Sequence, residues 1–316
     1  MGFRNPFFAV GTTLCRAPPG RSNGDFPLPV QAKDHTVAVA DRHWQGATVK
    51  PMEAMENVDF RTAEPDRIVA ALLNRGCVLL RNFVDATALV RAYDVMVKAY
   101  EQVEIFHIQP GQLRQLGLPM YSDILFAQPH YDLLAKVFGG RDYEISAETA
   151  SRRMGRVRQP PHWQAPLGPH LDAFIHAPRF TVNFWVPFQE CGVDAPSLGV
   201  VEAPFADIVS FAGYENGAEL WADPAPVGQF TRFRPAMQAM CRYRDPAAIA
   251  EMRERFGDRI RTPSFTPGDA MMLSNWTLHL THATPAMTKT RENLELRFWS
   301  SASLDDILRE HGIASA

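Results

Sequence analysis

Residues 267–281 of this 316-residue chain have the sequence PGDAMMLSNWTLHLT. Pro267 and Gly268 are typical of a turn, and the apolar residues 270–273 that follow predict a short buried strand. His279 lies eleven residues after Gly268, at the start of the next predicted strand. Short strands separated by turn residues are typical of a β-rich fold.

The same alternation of short strands and turns extends over the second half of the chain. Helical patterns dominate the first half, where Pro65 begins a helix that Gly76 ends, and Asp85 caps a longer helix. Pro129 is expected to kink or split a third helical region at 122–138. Helices followed by many short strands predict an α+β protein built on an antiparallel sandwich or barrel. The predicted strands are 77–83, 143–154, 170–175, 180–188, 198–202, 261–265, 270–273, 278–284 and 294–300.

The chain divides into parts that differ in composition and periodicity. Residues 1–55 are rich in Pro, Gly and short polar residues without periodicity, so an irregular N-terminal arm is expected there. Residues 56–316 are expected to form a single domain. Within it, residues 205–259 are a longer mixed segment with a predicted helix at Pro246–Phe256, and we interpret this segment as a lid-like insertion.

The composition excludes several classes of protein. With 46% hydrophobic and 21% charged residues, the chain has enough apolar surface to fold, so disorder of the whole chain is excluded. A formal net charge of -3 provides no basic field for nucleic acid or an anionic membrane. No apolar run reaches the roughly 18 to 20 residues that a membrane span needs. The four cysteines form no Cys-x-x-Cys pair, so no zinc knuckle or dithiol motif is predicted, and a reduced, cytoplasmic protein is the expectation.

His170-Leu171-Asp172 is the first candidate for chemistry. On a strand, side chains at i and i+2 point to the same face, so an imidazole and a carboxylate are presented side by side. Two histidines and one carboxylate on one face of a metal leave three positions open, which is the arrangement of non-haem Fe(II) oxygenases. His279 is the candidate for the second histidine, because it begins a different strand after a turn and a buried strand.

A carboxylate anchor is predicted beside these residues. Arg291 lies at the head of the last long strand. A buried guanidinium near a metal is suited to bidentate binding of a carboxylate on a metal-bound ligand. Thr281 lies two residues after His279, so its hydroxyl can share that face and donate to the same carboxylate.

These features together resemble the phytanoyl-CoA dioxygenase (PhyH-like) family of Fe(II)- and 2-oxoglutarate-dependent oxygenases, over about residues 77–300. The segments that carry the resemblance are 75–83 (RGCVLLRNF), His170-x-Asp172, the strand 181–188, 195–201 (APSLGVV), and the block from Gly268-Asp269 through His279 to Arg291. The chain departs from the family pattern where His279-Leu280-Thr281 replaces His-Gly-Ser, and the spacing from His279 to Arg291 is one residue longer.

The resemblance implies a double-stranded β-helix (jelly roll, cupin-type barrel) with flanking helices and a metal in the barrel mouth. It implies that His170, Asp172 and His279 hold Fe(II), and that Arg291 with Thr281 anchors 2-oxoglutarate. O2 is the further reactant, and succinate and CO2 are released while a C–H bond of a small organic molecule is oxidised, with hydroxylation as the default. Related halogenases have a small residue at the position of Asp172, so halogenation is not expected.

Three of these assignments have rivals in the sequence. His282 is an alternative to His279, although on a strand it faces the opposite side. His176 is an alternative proximal histidine, but no carboxylate follows it at i+2. Arg297 shares the parity of Arg291 on the last strand and is the alternative anchor.

Four arginines just before the metal motif have two interpretations. They belong either to a solvated strand and loop or to a patch that recognises an anionic substrate. These residues are Arg152, Arg153, Arg156 and Arg158.

The function also has alternatives. A non-catalytic or differently metallated cupin-like binding protein would keep the barrel but would not need a carboxylate anchor. A cofactor-free hydrolase has little support, because no Gly-x-Ser-x-Gly elbow or other nucleophile motif is present. The sequence leaves open desaturation, epoxidation or ring formation as the outcome, and it leaves open the oligomeric state.

Overall fold

The computed structural model describes residues 55–103, 107–146, 149–154, 169–172, 179–204, 207–208 and 246–313. All of these residues belong to one compact unit, Gly46–Ala316. The predicted arm apart from Met55, most of the insertion 205–259, and His176, Arg156 and Arg158 lie outside the described residues. In the described ranges, no helix combines the length and the apolar character needed to cross a membrane.

The helices begin and end where local chemistry favours a boundary. In the described ranges they are α1 (Pro65–Arg75), α2 (Ala86–Gln102), α3 (Pro110–Gln115), α4 (Tyr121–Leu125), α5 (Gln128–Val137), α6 (Pro246–Phe256) and α7 (Leu304–Glu310). Asp85 caps α2 by accepting hydrogen bonds from the backbone of Thr87 and Ala88. Gly76, at φ 78°, ends α1 in the left-handed region that favours glycine. Pro129 lies in the first turn of α5 and divides the predicted region 122–138 into α4 and α5.

Two β-sheets carry the candidate site. The described strands are β1 (Asn57–Asp59), β2 (Cys77–Arg81), β3 (His107–Ile108), β4 (Tyr143–Ile145), β5 (Ala150–Met154), β6 (Arg179–Pro187), β7 (Ser197–Val201), β8 (Ile260–Arg261), β9 (Ala270–Ser274), β10 (His279–His282) and β11 (Arg291–Ser303). The larger sheet has the order β1-β2-β9-β6-β11-β5-β3, and β4 also pairs with β11. The smaller sheet has the order β10-β7-β8. The pairings are antiparallel except that of β1 with β2.

Alternation along β11 gives its two faces different chemistry. Leu294, Leu296 and Phe298 lie in the larger hydrophobic core, together with apolar residues of α1, α2 and α5. Successive side chains of a strand point to opposite faces, so the intervening residues lie on the other side of the sheet. That side, which we call the inner face, carries the buried polar residues Arg291, Asn293, Glu295 and Arg297.

The inner face of the larger sheet packs against the smaller sheet. Trp185 of β6 and Met271 of β9 share a buried cluster with Leu198 and Val200 of β7. Apolar side chains from both sheets thus exclude water from the space between them. The predicted α+β class is confirmed, although the larger sheet is mixed because β1 is parallel to β2. The polar row of β11 faces into the space between the sheets.

Two predicted strands are wrong in their extent. The predicted strand 143–154 forms two strands, β4 and β5, which both pair with β11. Between them the backbone N–H of Arg297 donates to the hydroxyl of Thr149 at 2.9 Å, so a side chain replaces the regular ladder. The predicted strand 261–265 is limited to β8, and Pro263 lacks the N–H that a ladder requires.

Candidate metal centre

His170, Asp172 and His279 come together between the two sheets. The backbones of His170 and His279 exchange hydrogen bonds of 2.9 and 3.0 Å, and their ring centroids are 4.1 Å apart. Oδ1 of Asp172 lies 4.0 Å from Nε2 of His170 and 3.9 Å from Nε2 of His279. The potential ligand atoms of the three buried residues all lie within 4.8 Å of one another, so the cluster can hold one metal ion.

The sequence predicted a strand over 170–175, and this prediction is wrong at His170 and Asp172, which do not lie on a regular strand. Residues 173–175 lie outside the described part of the chain. His170 forms an isolated bridge to His279, and Asp172 lies in the turn that follows. The bridge fixes the backbone of His170 against β10, and the turn brings the Asp172 carboxylate to the same point. The two side chains therefore meet through a turn rather than through the parity of a strand.

His279 is oriented by its second ring nitrogen. Nδ1 lies 2.8 Å from the carbonyl oxygen of Thr277, which can only accept, so Nδ1 carries the proton and donates. Nε2 is then the ring nitrogen that faces Asp172, which is the arrangement of a histidine that binds a metal through Nε2. His282 pairs with Ser197 and, by the alternation of β10, points to the face opposite His279.

The two oxygens of Asp172 have different partners. Oδ1 faces the two histidines, whereas Oδ2 accepts hydrogen bonds from Arg297, at 2.8 Å from Nη2 and 3.2 Å from Nε. Burial by itself raises the pKa of Asp172. Arg297 and the two histidines lower it by more than burial raises it, so the net pKa is well below the usual range. Asp172 is therefore an anion at neutral pH, as a ligand must be.

Arg297, the alternative anchor, is already paired with two carboxylates of the protein. Its Nη2 donates both to Asp172 and, at 2.7 Å, to Oε2 of Glu295. Burial lowers the pKa of Arg297, but the two carboxylates raise it by more, so the guanidinium stays charged. The structure thus gives Arg297 a role different from that of Arg291.

Arg291 is buried but only partly satisfied. Its Nη1 donates to the carbonyl oxygen of Ser197 at 3.3 Å, while Nε has no hydrogen-bond partner among the described residues. The residue is 3% exposed, and burial lowers its pKa to about 10, partly offset by Glu295. At neutral pH the guanidinium is still charged, and a buried cation with an unpaired donor favours an anionic ligand.

Two more buried donors lie near Arg291. The ring of Trp185 lies 5.5 Å from the guanidinium carbon of Arg291, and its Nε1 has no hydrogen-bond partner in the described part of the chain. Asn293 is next but one to Arg291 on the inner face, and neither atom of its side-chain amide is paired with a described residue. Buried polar groups are nearly always satisfied, so unpaired groups at one place indicate a polar ligand.

Thr281 lies at the same end of β7 as Arg291. It pairs with Leu198 in the register of β10 and β7. By alternation it shares with His279 the face of the smaller sheet that packs against the larger sheet. Ser197, which precedes Leu198, accepts the hydrogen bond from Arg291. The predicted anchor pair is therefore brought to one strand end, on the same side as the metal cluster.

Sequence reasoning missed Glu295 and Asn293 as members of this site. Glu295 is buried, and its Oε1 lies 2.9 Å from Nε of Arg152, the one member of the predicted arginine patch whose side chain is described. Burial raises the pKa of Glu295, but Arg152 and Arg297 lower it below its usual value. The signal was the alternation of polar and apolar residues over 293–298, which places every polar residue of that stretch on one face.

Comparisons with known proteins identify distant structural similarities only. No model of a known protein family matches the chain, and no curated protein does. The chain is similar to the non-heme alpha ketoglutarate dependent epimerase SnoN from nogalamycin biosynthesis, at 14% identity over 74% of this chain and 81% of that protein, with a TM-score of 0.44.

Two other solved structures show the same level of similarity. AviO1 from Streptomyces viridochromogenes Tue57 is 14% identical over 77% of this chain and 97% of that protein, with a TM-score of 0.47. EvdO2 from Micromonospora carbonacea var. aurantiaca, complexed with 2-oxoglutarate, is 15% identical over 80% and 95%, with a TM-score of 0.45. At these identities and TM-scores, the similarities assign no activity to this chain.

Proposed function

We propose that the protein is an Fe(II)- and 2-oxoglutarate-dependent dioxygenase that oxidises a C–H bond of a small organic molecule, with hydroxylation as the default outcome. The observation that carries the proposal is the cluster of His170, Asp172 and His279 on the inner side of the sheets, with the partly unpaired Arg291 on the same side. We also infer that residues 56–316 form one double-stranded β-helix domain around this site.

The donor set fits Fe(II). Two imidazole nitrogens and one carboxylate oxygen are the protein ligands of non-haem iron oxygenases, and they leave three coordination positions for reactants. Three further features support binding of a cation. Asp172 is held as an anion, the ring of His279 is oriented by the contact of Nδ1 with the Thr277 carbonyl so that Nε2 faces the cluster, and the cluster is buried.

The neighbouring polar groups fit 2-oxoglutarate. This co-substrate has a keto-acid end that chelates a metal and a second carboxylate at a distance from it. Nε of Arg291, Nε1 of Trp185 and the amide of Asn293 are buried polar groups without a described partner, and a carboxylate would satisfy the donors among them. A binding protein that holds only a metal would not need these unpaired donors, which is why we favour the enzyme.

Each residue has a distinct task in this proposal. When bound, Fe(II) and 2-oxoglutarate use O2 to place one oxygen atom in succinate, with loss of CO2, and the other in the substrate C–H bond. Arg291 and Thr281 fix the distal carboxylate and thereby orient the chelating end toward the triad. The apolar residues Leu198 and Val200 line the same inner face and exclude water from the reacting groups.

The proposal also concerns the substrate. Arg152, Arg291 and Arg297 are three cations in or beside the site, against the two carboxylates of Asp172 and Glu295. This balance supports a small anionic substrate or co-substrate over a cationic one.

An anaerobic titration tests the function. The full-length apoprotein is loaded with Fe(II) and then with 2-oxoglutarate, and the weak visible charge-transfer band of the chelate is recorded. We expect the band in the wild type, and we expect Arg291→Gln to need roughly 10–100-fold more 2-oxoglutarate because a buried charge-assisted contact is lost. Arg309→Gln, which changes an exposed arginine, is the matched control and should behave as the wild type.

The outcomes separate the two candidate functions. Iron binding without any band would leave a metal-binding β-barrel and remove the 2-oxoglutarate mechanism. Absence of iron binding would remove the Fe(II) enzyme and would leave the non-catalytic or differently metallated binding protein.

A further inference from the structure

We propose that Arg297 is a positioning residue of the metal centre, which holds one oxygen of Asp172 so that only the other oxygen is offered to the metal. This inference rests on the proposed function, because it assumes that the triad binds a divalent cation. Arg297 is not itself one of the three proposed metal ligands. By holding one oxygen of Asp172, it would control how many coordination positions on the metal remain open.

The carboxylate of Asp172 is divided between two tasks. Oδ2 receives two hydrogen bonds from the fork of Arg297, at 2.8 and 3.2 Å. Oδ1 is the oxygen that faces Nε2 of both histidines, at 3.9 and 4.0 Å. A free carboxylate can ligate a metal through one or both oxygens. Holding Oδ2 restricts Asp172 to one metal bond, and three positions then remain for a bidentate chelate and one further ligand.

Arg297 is itself fixed at its side chain. Nη2 donates to Oε2 of Glu295 at 2.7 Å, and the other oxygen of Glu295 lies 2.9 Å from Nε of Arg152. The result is a buried row of alternating charge, Arg152–Glu295–Arg297–Asp172, that runs from β5 across β11 to the metal cluster. Glu295 lies between two guanidiniums and Arg297 lies between two carboxylates, so Arg297 cannot turn away without leaving buried charges unpaired.

Arg297 is also fixed at its backbone. Its N–H donates to the Thr149 hydroxyl at 2.9 Å, and its carbonyl oxygen accepts from the backbone N–H of Ser146 at 2.8 Å. These contacts lie at the interruption between β4 and β5, where the regular pairing of β11 is broken. The irregularity thus has a function in this proposal, because it anchors the residue that orients Asp172.

The charge and the geometry of Arg297 act on metal binding with opposite signs. A guanidinium beside a divalent cation repels it, so removal of the charge alone would strengthen metal binding. Loss of an outer partner that orients a ligand typically weakens metal affinity by roughly 10–100-fold. The direction of the change therefore distinguishes a positioning residue from a nearby charge.

The test measures binding of Co(II) alone to the full-length apoprotein, by titration and by the visible absorption spectrum of the bound ion. For Arg297→Gln we expect Co(II) affinity to fall roughly 10–100-fold, with a changed spectrum because Asp172 is free to bind through both oxygens. Arg297→Lys keeps a donor for Oδ2 and should restore most of the affinity and the wild-type spectrum. Arg309→Gln removes an equal charge from an exposed position outside the row and should stay within about threefold of the wild type.

The possible results lead to different conclusions. Tighter or equal Co(II) binding by Arg297→Gln, with an unchanged spectrum, overturns the positioning role and leaves the proposed function intact. Absence of Co(II) and Fe(II) binding to the wild type overturns the proposed function itself. Circular dichroism shows whether Arg297→Gln is folded. If it is not, Arg297→Met, which keeps an apolar stem but has no donor for Oδ2, replaces it as the test, and unchanged affinity and spectrum in that variant overturn the proposal.

Discussion

His170 and His279, which are 109 positions apart in the sequence, pair with each other through two backbone hydrogen bonds of 2.9 and 3.0 Å. The two imidazoles are thereby presented from adjacent strands of backbone, with ring centroids 4.1 Å apart. A site built on paired backbone is more precise than one built on separate loops. The metal cluster thus adjoins β10, with His170 in an isolated bridge to that strand and Asp172 in the turn that follows.

The pairing leads to a prediction that separates the two neighbouring histidines of β10. His279→Ala should reduce Mn(II) affinity by at least the roughly 10–100-fold that loss of an outer partner costs, because a direct donor is removed. His282→Ala should leave Mn(II) affinity unchanged, because that side chain is on the other face. Electron paramagnetic resonance of free Mn(II) measures both. The reverse pattern would show that the distal histidine is wrongly assigned.

Asn293 gives a prediction in which stability and binding respond differently. Both of its amide atoms are buried without a described partner, so Asn293→Leu should leave the free energy of unfolding of the apoprotein unchanged or higher. The same change should weaken binding of 2-oxoglutarate to the Mn(II)-loaded protein by roughly tenfold, as expected for one lost hydrogen bond to a charged group. Thermal unfolding with and without 2-oxoglutarate measures both effects.

The control for Asn293 is an exposed asparagine. Asn74 lies on α1, and Asn74→Leu should alter neither the stabilisation by 2-oxoglutarate nor its concentration dependence. If Asn293→Leu destabilises the apoprotein and leaves 2-oxoglutarate binding intact, the amide has a structural partner and no part in the ligand site.

The boundaries of the fold were predictable where one residue decides them locally. Gly76, Asp85 and Pro129 each act within a few residues of their own position, and the helices begin or end at them as predicted. The interruption of the strand at 143–154 was not predictable. It depends on the hydroxyl of Thr149 meeting the backbone of Arg297, which is 148 positions away in the sequence.

The candidate site follows the same division between local and distant causes. Parity along a strand separated His279 from His282, because β10 is regular. Parity also placed Arg291 and Arg297 on one face, but it gave no means to assign them different roles. Their roles depend on Asp172 and Ser197, which come from distant parts of the chain. Local sequence contains no information on which partner a side chain meets across two sheets.

Asp269 gives a prediction about stability that does not involve the metal. Its carboxylate is buried and accepts hydrogen bonds from Arg81 Nη1 at 2.6 Å and from the backbone and hydroxyl of Thr266 at 2.8 and 2.9 Å. Asp269→Ala leaves these donors unpaired and should lower the free energy of unfolding by about 3 kcal/mol. Urea denaturation measures the loss.

The comparison for Asp269 is an exposed ion pair of similar length. Asp194 lies 2.9 Å from Lys289, and both side chains are more than half exposed. Asp194→Ala should cost less than about 1 kcal/mol, since exposed pairs contribute little. Equal losses in the two variants would mean that the Gly268-Asp269 turn does not stabilise the fold.

The pH dependence of stability can be predicted from His130. Burial among Phe60, Phe83 and Phe126 lowers its pKa, although hydrogen bonds to the backbone of Phe83 and Ala127 partly oppose this. Below about pH 6.5 the unfolded chain binds a proton at this residue, and the folded chain stays neutral until the lowered pKa is reached. The free energy of unfolding should therefore fall as the pH drops through this window.

The test compares wild type with His130→Gln by urea denaturation from pH 8 to pH 5. Other titrating groups cancel in the difference between the two free energies of unfolding, and this difference should shrink toward low pH. A difference that stays constant over this range would mean that His130 takes up a proton equally well in the folded and unfolded chains.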